Sequence, residues 1–381
     1  MKIVHVGPSV LPVRFQFGGA IQRRILELSR NQAAFGHQVV VYSADVRPGT
    51  ELWHGVEIRN IVCRQRILPL RDLEYLTGLV KVLEREPVDI LHSHGLPEVS
   101  LLASNIPARK VLSYDHFIFR RGRRTPLFWL YRRALRKFDR LLPVSEYCLR
   151  ESLAYWQLSA FRASVLYNGV NLKQFSPDAA AKVRQRQVHA LQGKRVILYV
   201  GRVCKQKGTD ILIESFHLLR RRVPDVALVV AGPAEHFENG ERSWLTREIS
   251  RVGGLYFGAV PDAELASIYN LGDIFVMPTR QWEMFGMAAL EAQACGLPVV
   301  ASQHGGLPEV IADGSGLFFS AGSSAALAEK LETLLTDRVL LQEKSKAARE
   351  NAQRFGWPTI ARQLQKIYQP PSAQEPWKHG P

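Results

Sequence analysis

The chain has 381 residues, too many for one ordinary hydrophobic core and suited to two domains of α/β type. Apolar residues make up 46% and charged residues 22%, the balance of a globular protein, and no run of about 18 apolar residues offers a membrane span. Net charge is +15 and uneven: residues 120–140 hold nine Arg or Lys and one acid.

The first apolar run is KIVHV (2–6). Pro8 and Pro12 break the stretch after it, so the N-terminus reads as a first strand rather than a signal peptide. In FGGAIQRRILELSRNQAAFGHQV, Gly18 and Gly19 precede a helix whose Ile21, Ile25 and Leu28 share a face. Glycines there let a ligand approach the backbone, and free N–H groups at a helix start favour an anion. A plain helix-start turn is the alternative. QVVVYSA (38–44), DILHSHG (89–95), KVLSYDH (110–116), RLLPVSE (140–146) and ASVLYNG (163–169) read as the other strands of this half. Continuous apolar runs, rather than alternating ones, predict parallel strands covered on both faces.

Between the third and fourth of these lies FRRGRRTPLFWLYRRALRKFDRLL (119–142). From Leu127 it predicts a helix with Leu127, Tyr131, Ala134, Leu135, Phe138 and Leu141 on one face. Arg132, Arg133, Arg136, Lys137 and Arg140 fall largely on the other. A basic amphipathic helix with Trp and Phe suits an anionic membrane surface; an ordinary domain helix with a solvated basic side is the plainer reading.

NGVNLKQFSPD (168–178) carries the turn signals of a domain boundary. It divides the chain into 1–172 and 173–355, with 370–381 a loose tail. RVILYVG (195–201), VALVVAG (226–232), GLYFGAV (254–260), DIFVMPT (273–279) and PVVAS (298–302) are the strands of the second half. Alternation of strands and helices in both halves predicts two doubly wound domains, in which ligands bind beyond the carboxyl ends of the strands. The four cysteines are scattered with no CxxC pair, which reads as reduced cytosolic thiols and not as a disulfide frame or zinc site.

In VILYVGRVCKQKGTDILIESF, Arg202 and Lys207 follow a strand end, where two cations can hold a diphosphate; a solvated basic loop is the alternative. In RQWEMFGMAALEAQACGLPVV, a helix over FGMAALEAQAC has Glu283 just before it and Glu291 about two turns in. Glu283 alone is comfortable as a capping acid. The spacing separates the two acids along the helix axis, so they do not form a proton-sharing pair. Two separate acceptors with helix-start N–H groups between them suit a long polyhydroxy ligand. A diphosphate with a polyol at either end is a nucleotide-sugar.

The chain resembles the family-4 retaining glycosyltransferases of GT-B fold. The likeness runs from GGAIQRRILELSRNQAAFGHQVVVYS through VLYNGVNLKQFSP, GRVCKQKGTDILIESF and LVVAGP. It continues to LYFGAVPDAELASIYNLGDIFVMPTRQWEMFGMAALEAQACGLPVVASQHGGLPEVIADGSG. The resemblance implies two Rossmann-like domains facing a deep cleft, with WPTIARQLQKIY (about 356–369) crossing back onto the N-terminal one. It implies Glu283 on the donor-sugar hydroxyls, helped by the amides of Phe285 and Gly286. Met287 and Ala288 amides meet the distal phosphate, and Glu291 holds the ribose. Arg202 and Lys207 neutralise the diphosphate as it leaves, with Gly18 and Gly19 approaching from the other domain. The base lies near Gly232 and Val260. At the reaction centre stands either His116 or Asp115, since SYDHF reverses the family's usual His-Asp order. His94 reads either as a satisfied core histidine or as a group reaching the cleft, and Glu309 in GGLPEV occupies a family position near the donor. Asn171 stands where the family often has Asp, in a loop expected to act as a hinge.

The expected reaction is metal-independent transfer with retention, since no Asp-x-Asp stands in a loop suited to a divalent cation. No cofactor is expected. The acceptor is a saccharide or a lipid-linked sugar of the cell-envelope, lipopolysaccharide or exopolysaccharide kind. Localisation is expected to be cytoplasmic, peripheral at the inner membrane face through 119–142. Two rival classes remain in view: a GT-B nucleotide-sugar epimerase, which needs no acceptor, and a nucleic-acid-binding protein. The second is disfavoured because the basic excess is clustered and no RNP, KH or zinc-finger signature is present. No G-x-G-x-x-G follows a strand, which argues against a dinucleotide dehydrogenase.

Overall fold

The computed structural model describes residues 1–14, 19–65, 67–115, 125–234, 241–281, 283–312 and 314–369. They form two compact units: Met1–Val144, Cys148–Asn168 and Trp357 onward in one, Ser145–Tyr147 and Gly169–Gly356 in the other. The expected tail, 370–381, lies outside the described residues.

In unit 1 the chain runs β1 (Lys2–Val6), α1 (Ala20–Ala34), β2 (Gln38–Asp45), β3 (Thr50–Trp53), β4 (Val56–Val62) and α2 (Leu68–Leu83). It continues with β5 (Ile90–His94), α3 (Val99–Leu102), β6 (Arg109–Tyr114), α4 (Pro126–Arg136), β7 (Arg140–Pro143) and, from Cys148 on, α5 (Glu146–Trp156). The seven strands lie in the order β3-β4-β2-β1-β5-β6-β7, all parallel except the β3–β4 pair. Their apolar runs are buried because helices cover both faces. α2 and α3 cover one, packing Tyr75, Leu76 and Leu79 on Val4, Val40 and Leu91. α1 covers the other, where Leu28 packs on Ile3.

In unit 2, α6 (Ala179–Val188), β8 (Arg195–Val200), α7 (Thr209–Arg220), β9 (Val226–Ala231), α8 (Glu241–Arg251) and β10 (Leu255–Tyr256) come first. There follow α9 (Leu265–Tyr269), β11 (Ile274–Met277), α10 (Met287–Ala294), β12 (Val299–Ser302), α11 (Leu307–Val310), β13 (Gly316–Phe319), α12 (Ser324–Thr336) and α13 (Arg338–Gln353). Its sheet, β10-β9-β8-β11-β12-β13, is wholly parallel in its pairings. The last helix, α14 (Trp357–Tyr368), belongs to unit 1, where Trp357, Ile360 and Leu364 pack against Ile90, Val111 and Leu142.

Five local expectations are corrected. Residues 163–169 make one isolated bridge to β7 and no strand. Of 254–260, only Leu255–Tyr256 pair. β3, β4 and β13 escape a search for apolar runs: β3 is an exposed edge, and β4 alternates buried with half-buried residues. The basic helix ends at Arg136, so Arg140 and Leu141 are strand residues and Arg140 is buried. Finally, α10 starts at Met287, which makes Glu291 its fifth residue, little more than one turn in.

Candidate active site

In unit 2 the chain builds outward from β8 first to β9 and β10, then restarts at β11 on the other side of β8. The loops after β8 and β11 therefore part at a topological switch point, where a doubly wound sheet leaves a crevice. Arg202 and Lys207 stand on the first loop and Glu283 on the second. The crevice brings two of them into contact: Lys207 Nζ lies 2.6 Å from Glu283 Oε2. Both side chains keep partial solvent exposure, 27% and 17%, so the pair is reachable. The loops are tied beneath it. Arg280 N donates to Gln206 O at 3.1 Å, and Arg280 Nη2 bonds Asp210 at 2.6 Å. Tyr199 OH, deep in β8, donates to Arg202 O at 2.7 Å.

Glu283 is aimed by its own backbone. Gly306 N donates to Glu283 O at 2.8 Å, and Gly305 turns there with φ +64°. A Cβ on Gly305 would fall 2.2 Å from Glu283 O, so only glycine fits. Gly286, with φ +102°, is the N-cap of α10, and the first bond of that helix runs from Leu290 N to Gly286 O. Met287 and Ala288 are thus its first two residues, whose N–H groups have no carbonyl one turn back and suit an anion. Phe285 is buried beside Phe355 and anchors the approach. Glu291 is only 5% exposed, and Tyr269 OH donates to its Oε2 at 2.8 Å. Gly232 sits beyond β9, its N donating to Gly258 O at 2.6 Å and its O accepting from Tyr256 OH at 3.0 Å. Val260 is half-buried in the loop after β10. Glu309 holds the backbone N–H groups of Glu146 and Tyr147 at 2.6 and 2.8 Å, within the same compact unit.

The other named residues belong to unit 1. Gly18 and His116 lie outside the described residues. Gly19 is the N-cap of α1, and its N–H is held by Gln22 Oε1 at 3.0 Å. Asp115, at the end of β6, is engaged by Arg24 Nη1 at 2.9 Å. Arg24 is wholly buried and also donates to Ser113 Oγ and Leu166 O. His94 ends β5, at the switch point between β1 and β5, and is 1% exposed.

His94 belongs to a buried polar chain that sequence reasoning missed. His5 on β1 pairs in register with His92 on β5, and His94 follows on the same face two residues later. His94 Nε2 and His5 Nδ1 are 2.9 Å apart, and His5 Nε2 meets Gln32 Oε1 at 2.7 Å. His92 bridges Tyr368 OH at 2.6 Å and Ser113 Oγ at 2.8 Å. With that amide orientation His5 Nε2 carries the proton, His94 Nε2 donates to His5, and His94 Nδ1 is left bare. Among the described residues no partner meets that nitrogen. Burial lowers the His5 pKa to about 4 and holds His92 and His94 well below the ordinary value. The three imidazoles approach closely enough to share a metal ion, yet five of their six nitrogens already bond one another or neighbours. The only signal in the sequence was the His-x-His at the end of an apolar run.

Two family models match the chain. "Glycosyltransferase Family 4" covers residues 17–174, and "Glycosyl transferases group 1" covers 182–355. The chain is 27% identical to a D-inositol 3-phosphate glycosyltransferase of Thermobispora bispora, over 96% of this chain and 92% of that one. It is 26% identical to a phosphatidyl-myo-inositol mannosyltransferase of Mycobacterium leprae, over 94% and 95%. Among solved structures, sucrose-phosphate synthase from Thermosynechococcus elongatus superposes with a TM-score of 0.79 over 96% of this chain and 98% of that one. Its 20% identity makes this a likeness of fold alone.

Proposed function

We propose, on the premise that the chain belongs to the group 1, family 4 glycosyltransferases and has their GT-B fold, that it moves a sugar from a nucleotide-sugar to a saccharide or lipid-linked acceptor with retention of anomeric configuration. The observation that carries this reading is the Lys207–Glu283 contact at the switch-point crevice, beside the start of α10. A cation and a hydroxyl acceptor 2.6 Å apart match the junction of a donor, where the distal phosphate joins the sugar.

In this reading Glu283 accepts hydrogen bonds from the donor sugar, with the amides of Phe285 and Gly286. Met287 and Ala288 N–H groups hold the distal phosphate, and Glu291 takes the ribose. Arg202 and Lys207 oppose the negative charge that grows on the departing nucleoside diphosphate, which is stabilisation aimed at the transition state. Two fixed cations supply the charge that a divalent ion supplies elsewhere, and the reaction is metal-independent. Gly232 and Val260 border the base. On the acceptor side, His116 or Asp115 stands at the reacting sugar. The Arg24 contact already engages one oxygen of Asp115, which favours His116.

The basic segment 119–142 supports work at an anionic membrane surface, with a glycolipid acceptor. α4 carries Trp129 and Leu130 exposed to solvent beside the exposed Arg133 and Arg136. The M. leprae relative's name includes a phosphatidyl lipid. No helix among the described residues is long and apolar enough to cross a membrane. The test is a panel of nucleotide-sugars screened for binding, then for turnover on membrane-lipid and free-sugar acceptors, with product anomers read by NMR. An α-linked donor is expected to give an α-glycoside. A β-product sinks the retaining mechanism, and turnover of donor alone to an isomeric sugar points to an epimerase.

A further inference from the structure

One side chain of unit 1 breaks the pattern of its helix. Along α1, Ile21, Arg24, Ile25, Leu28 and Gln32 recur at helical spacing on the face that meets the sheet. Ile25 and Leu28 fill apolar clusters, and Ile21 packs beside one of them. Arg24 stands among them and is 0% exposed. Burial lowers the pKa of its guanidinium, and the charge of Asp115 leads the opposition to that shift. An aliphatic or Met side chain would fill the same place without taking a charge out of water. Exchange of a buried ion pair for apolar groups is often neutral or stabilising, so packing does not account for an arginine here.

Its contacts do. Arg24 is the fifth residue of α1, close to the carboxyl end of the sheet where that helix starts. Its Nη1 donates to Asp115 Oδ1 at 2.9 Å, and its Nη2 to Ser113 Oγ at 3.2 Å and Leu166 O at 3.0 Å. Ser113 is the penultimate residue of β6, and Asp115 directly follows that strand. Leu166 is held at the end of β7, where its N–H donates to Pro143 O at 3.0 Å. One planar guanidinium thus ties α1 to the ends of two neighbouring strands, a fork that a lysine ammonium does not reproduce. Ser113 Oγ goes on to His92 Nε2 at 2.8 Å, which joins the same hub to the buried histidines.

The pair is asymmetric. The Asp115 side chain keeps 15% exposure and the Arg24 side chain none, so the aspartate is the outer member with the cation behind it. Among the described residues, Arg24 Nε and Asp115 Oδ2 meet no hydrogen-bond partner, although both atoms are shielded from solvent. A buried pair kept for stability alone needs its remaining polar atoms satisfied. The next residue along the chain is His116, assigned above to the reacting sugar.

We infer that Arg24 is a positioning residue for the transfer: acting through Asp115, it fixes the end of β6 from which His116 reaches the reacting sugar. The inference rests on the acceptor-side reading above and adds the residue that sets its geometry. Arg24 is wholly buried and does not itself meet the sugar. A misplacement of about 1 Å at such a point costs roughly a hundredfold in rate.

The test uses the full chain. UDP-glucose, GDP-mannose and ADP-glucose are each offered with the membrane-lipid and free-sugar acceptors of the panel above, and release of nucleoside diphosphate gives kcat and KM. Calorimetric titration with UDP, GDP and ADP gives the Kd and the binding-competent fraction of each preparation, by which kcat is corrected. R24M, D115N and R24M/D115N are expected to keep the parent's Kd and donor KM, because the residues proposed to hold the donor phosphates stand in unit 2. Each is expected to lose about a hundredfold in kcat, and the double variant no more than D115N, since Arg24 acts through Asp115. R24K keeps the charge without the fork and is expected to lose only about tenfold. Should R24M fail to fold, D115N against R24M/D115N carries the same comparison, because the double variant leaves no carboxylate unpaired. Parent-like kcat in R24M/D115N assigns the pair to structure alone and overturns the inference. So does a double variant far slower than D115N, or an R24K as slow as R24M. A parent that turns over none of these pairs overturns the transfer reading and this inference with it.

Discussion

Mild acid should unfold unit 1 before unit 2. His5, His92 and His94 are buried and neutral, and the buried Arg24 guanidinium opposes a further positive charge among them. The groups facing them are Gln32 and Arg24 from α1, Tyr368 from α14, and Ser113 from β6, with Asp115 beyond on Arg24. Among the described residues none of the contacts to the imidazoles is a carboxylate able to stabilise an imidazolium. In the unfolded chain each imidazole takes a proton near pH 6.5, whereas in the folded chain His5 waits until about 4 and burial holds His92 and His94 well below 6.5. The folded pKa values are depressed, so the stability is fully present above pH 6.5. It drains as pH falls, because the unfolded chain binds protons that the folded chain refuses. One pH unit below 6.5 His5 alone has forfeited about 1.4 kcal/mol, and His92 and His94 add losses of the same sign. Typical domain stability is only roughly 5–15 kcal/mol. Glu27 and Glu98 act in the opposite direction, since burial raises their pKa and the folded chain takes up their protons first. Unit 2 buries no histidine among the described residues. Hydrogen–deuterium exchange at pH 7.5 and 5.5, corrected for intrinsic rates, reads the two units separately. Protection over β1 and β5 should fall about tenfold or more beyond any fall over β8 and β9. Equal losses in both units, or none in β1 and β5, would refute the reasoning.

Other outcomes follow from the same contacts. Lys207→Ala and Glu283→Ala should each lower turnover by about a hundredfold or more, as loss of a transition-state contact does. Their melting temperatures should hold, because a partly exposed pair adds roughly 1 kcal/mol or less; near-normal turnover in either removes the assigned role. Gly305→Ala places a Cβ against Glu283 O at a left-handed φ. It should destabilise by roughly 1–3 kcal/mol in urea titrations and reduce kcat/KM by displacing Glu283. Arg24→Met leaves Asp115 without its cation in the core and should cost about 3–5 kcal/mol. Adding Asp115→Asn should restore part of that loss, and a strictly additive double variant would show that the two are not coupled.

The arrangement of strands and helices was largely legible in the amino-acid order, because a parallel strand covered on both faces is a local apolar run. β1, β2, β5, β6, β8, β9, β11 and β12 are such runs. β3 and β4 were not legible, since an exposed edge and an alternating partner look polar. The residues proposed to hold the donor could be named from the sequence for a related reason. Glu283, Gly286, Met287 and Glu291 lie within nine residues on one strand–loop–helix unit, where spacing along the chain translates directly into spacing along a helix axis.

What the chain order by itself determined is therefore the two doubly wound sheets, the family, and the segment proposed here to meet a donor. Tertiary structure decided the pairings between loops and strands that sequence separates. Lys207 and Glu283 meet across 76 residues only because β8 and β11 are neighbours. Gln32 meets Tyr368 across 336 because α14 packs on α1. His5, His92 and His94 are single residues in apolar runs, and their shared proton arrangement exists only once β1 and β5 align in register. Sheet order is set by burial summed over the whole core, a quantity no local stretch contains, and these contacts are its consequence.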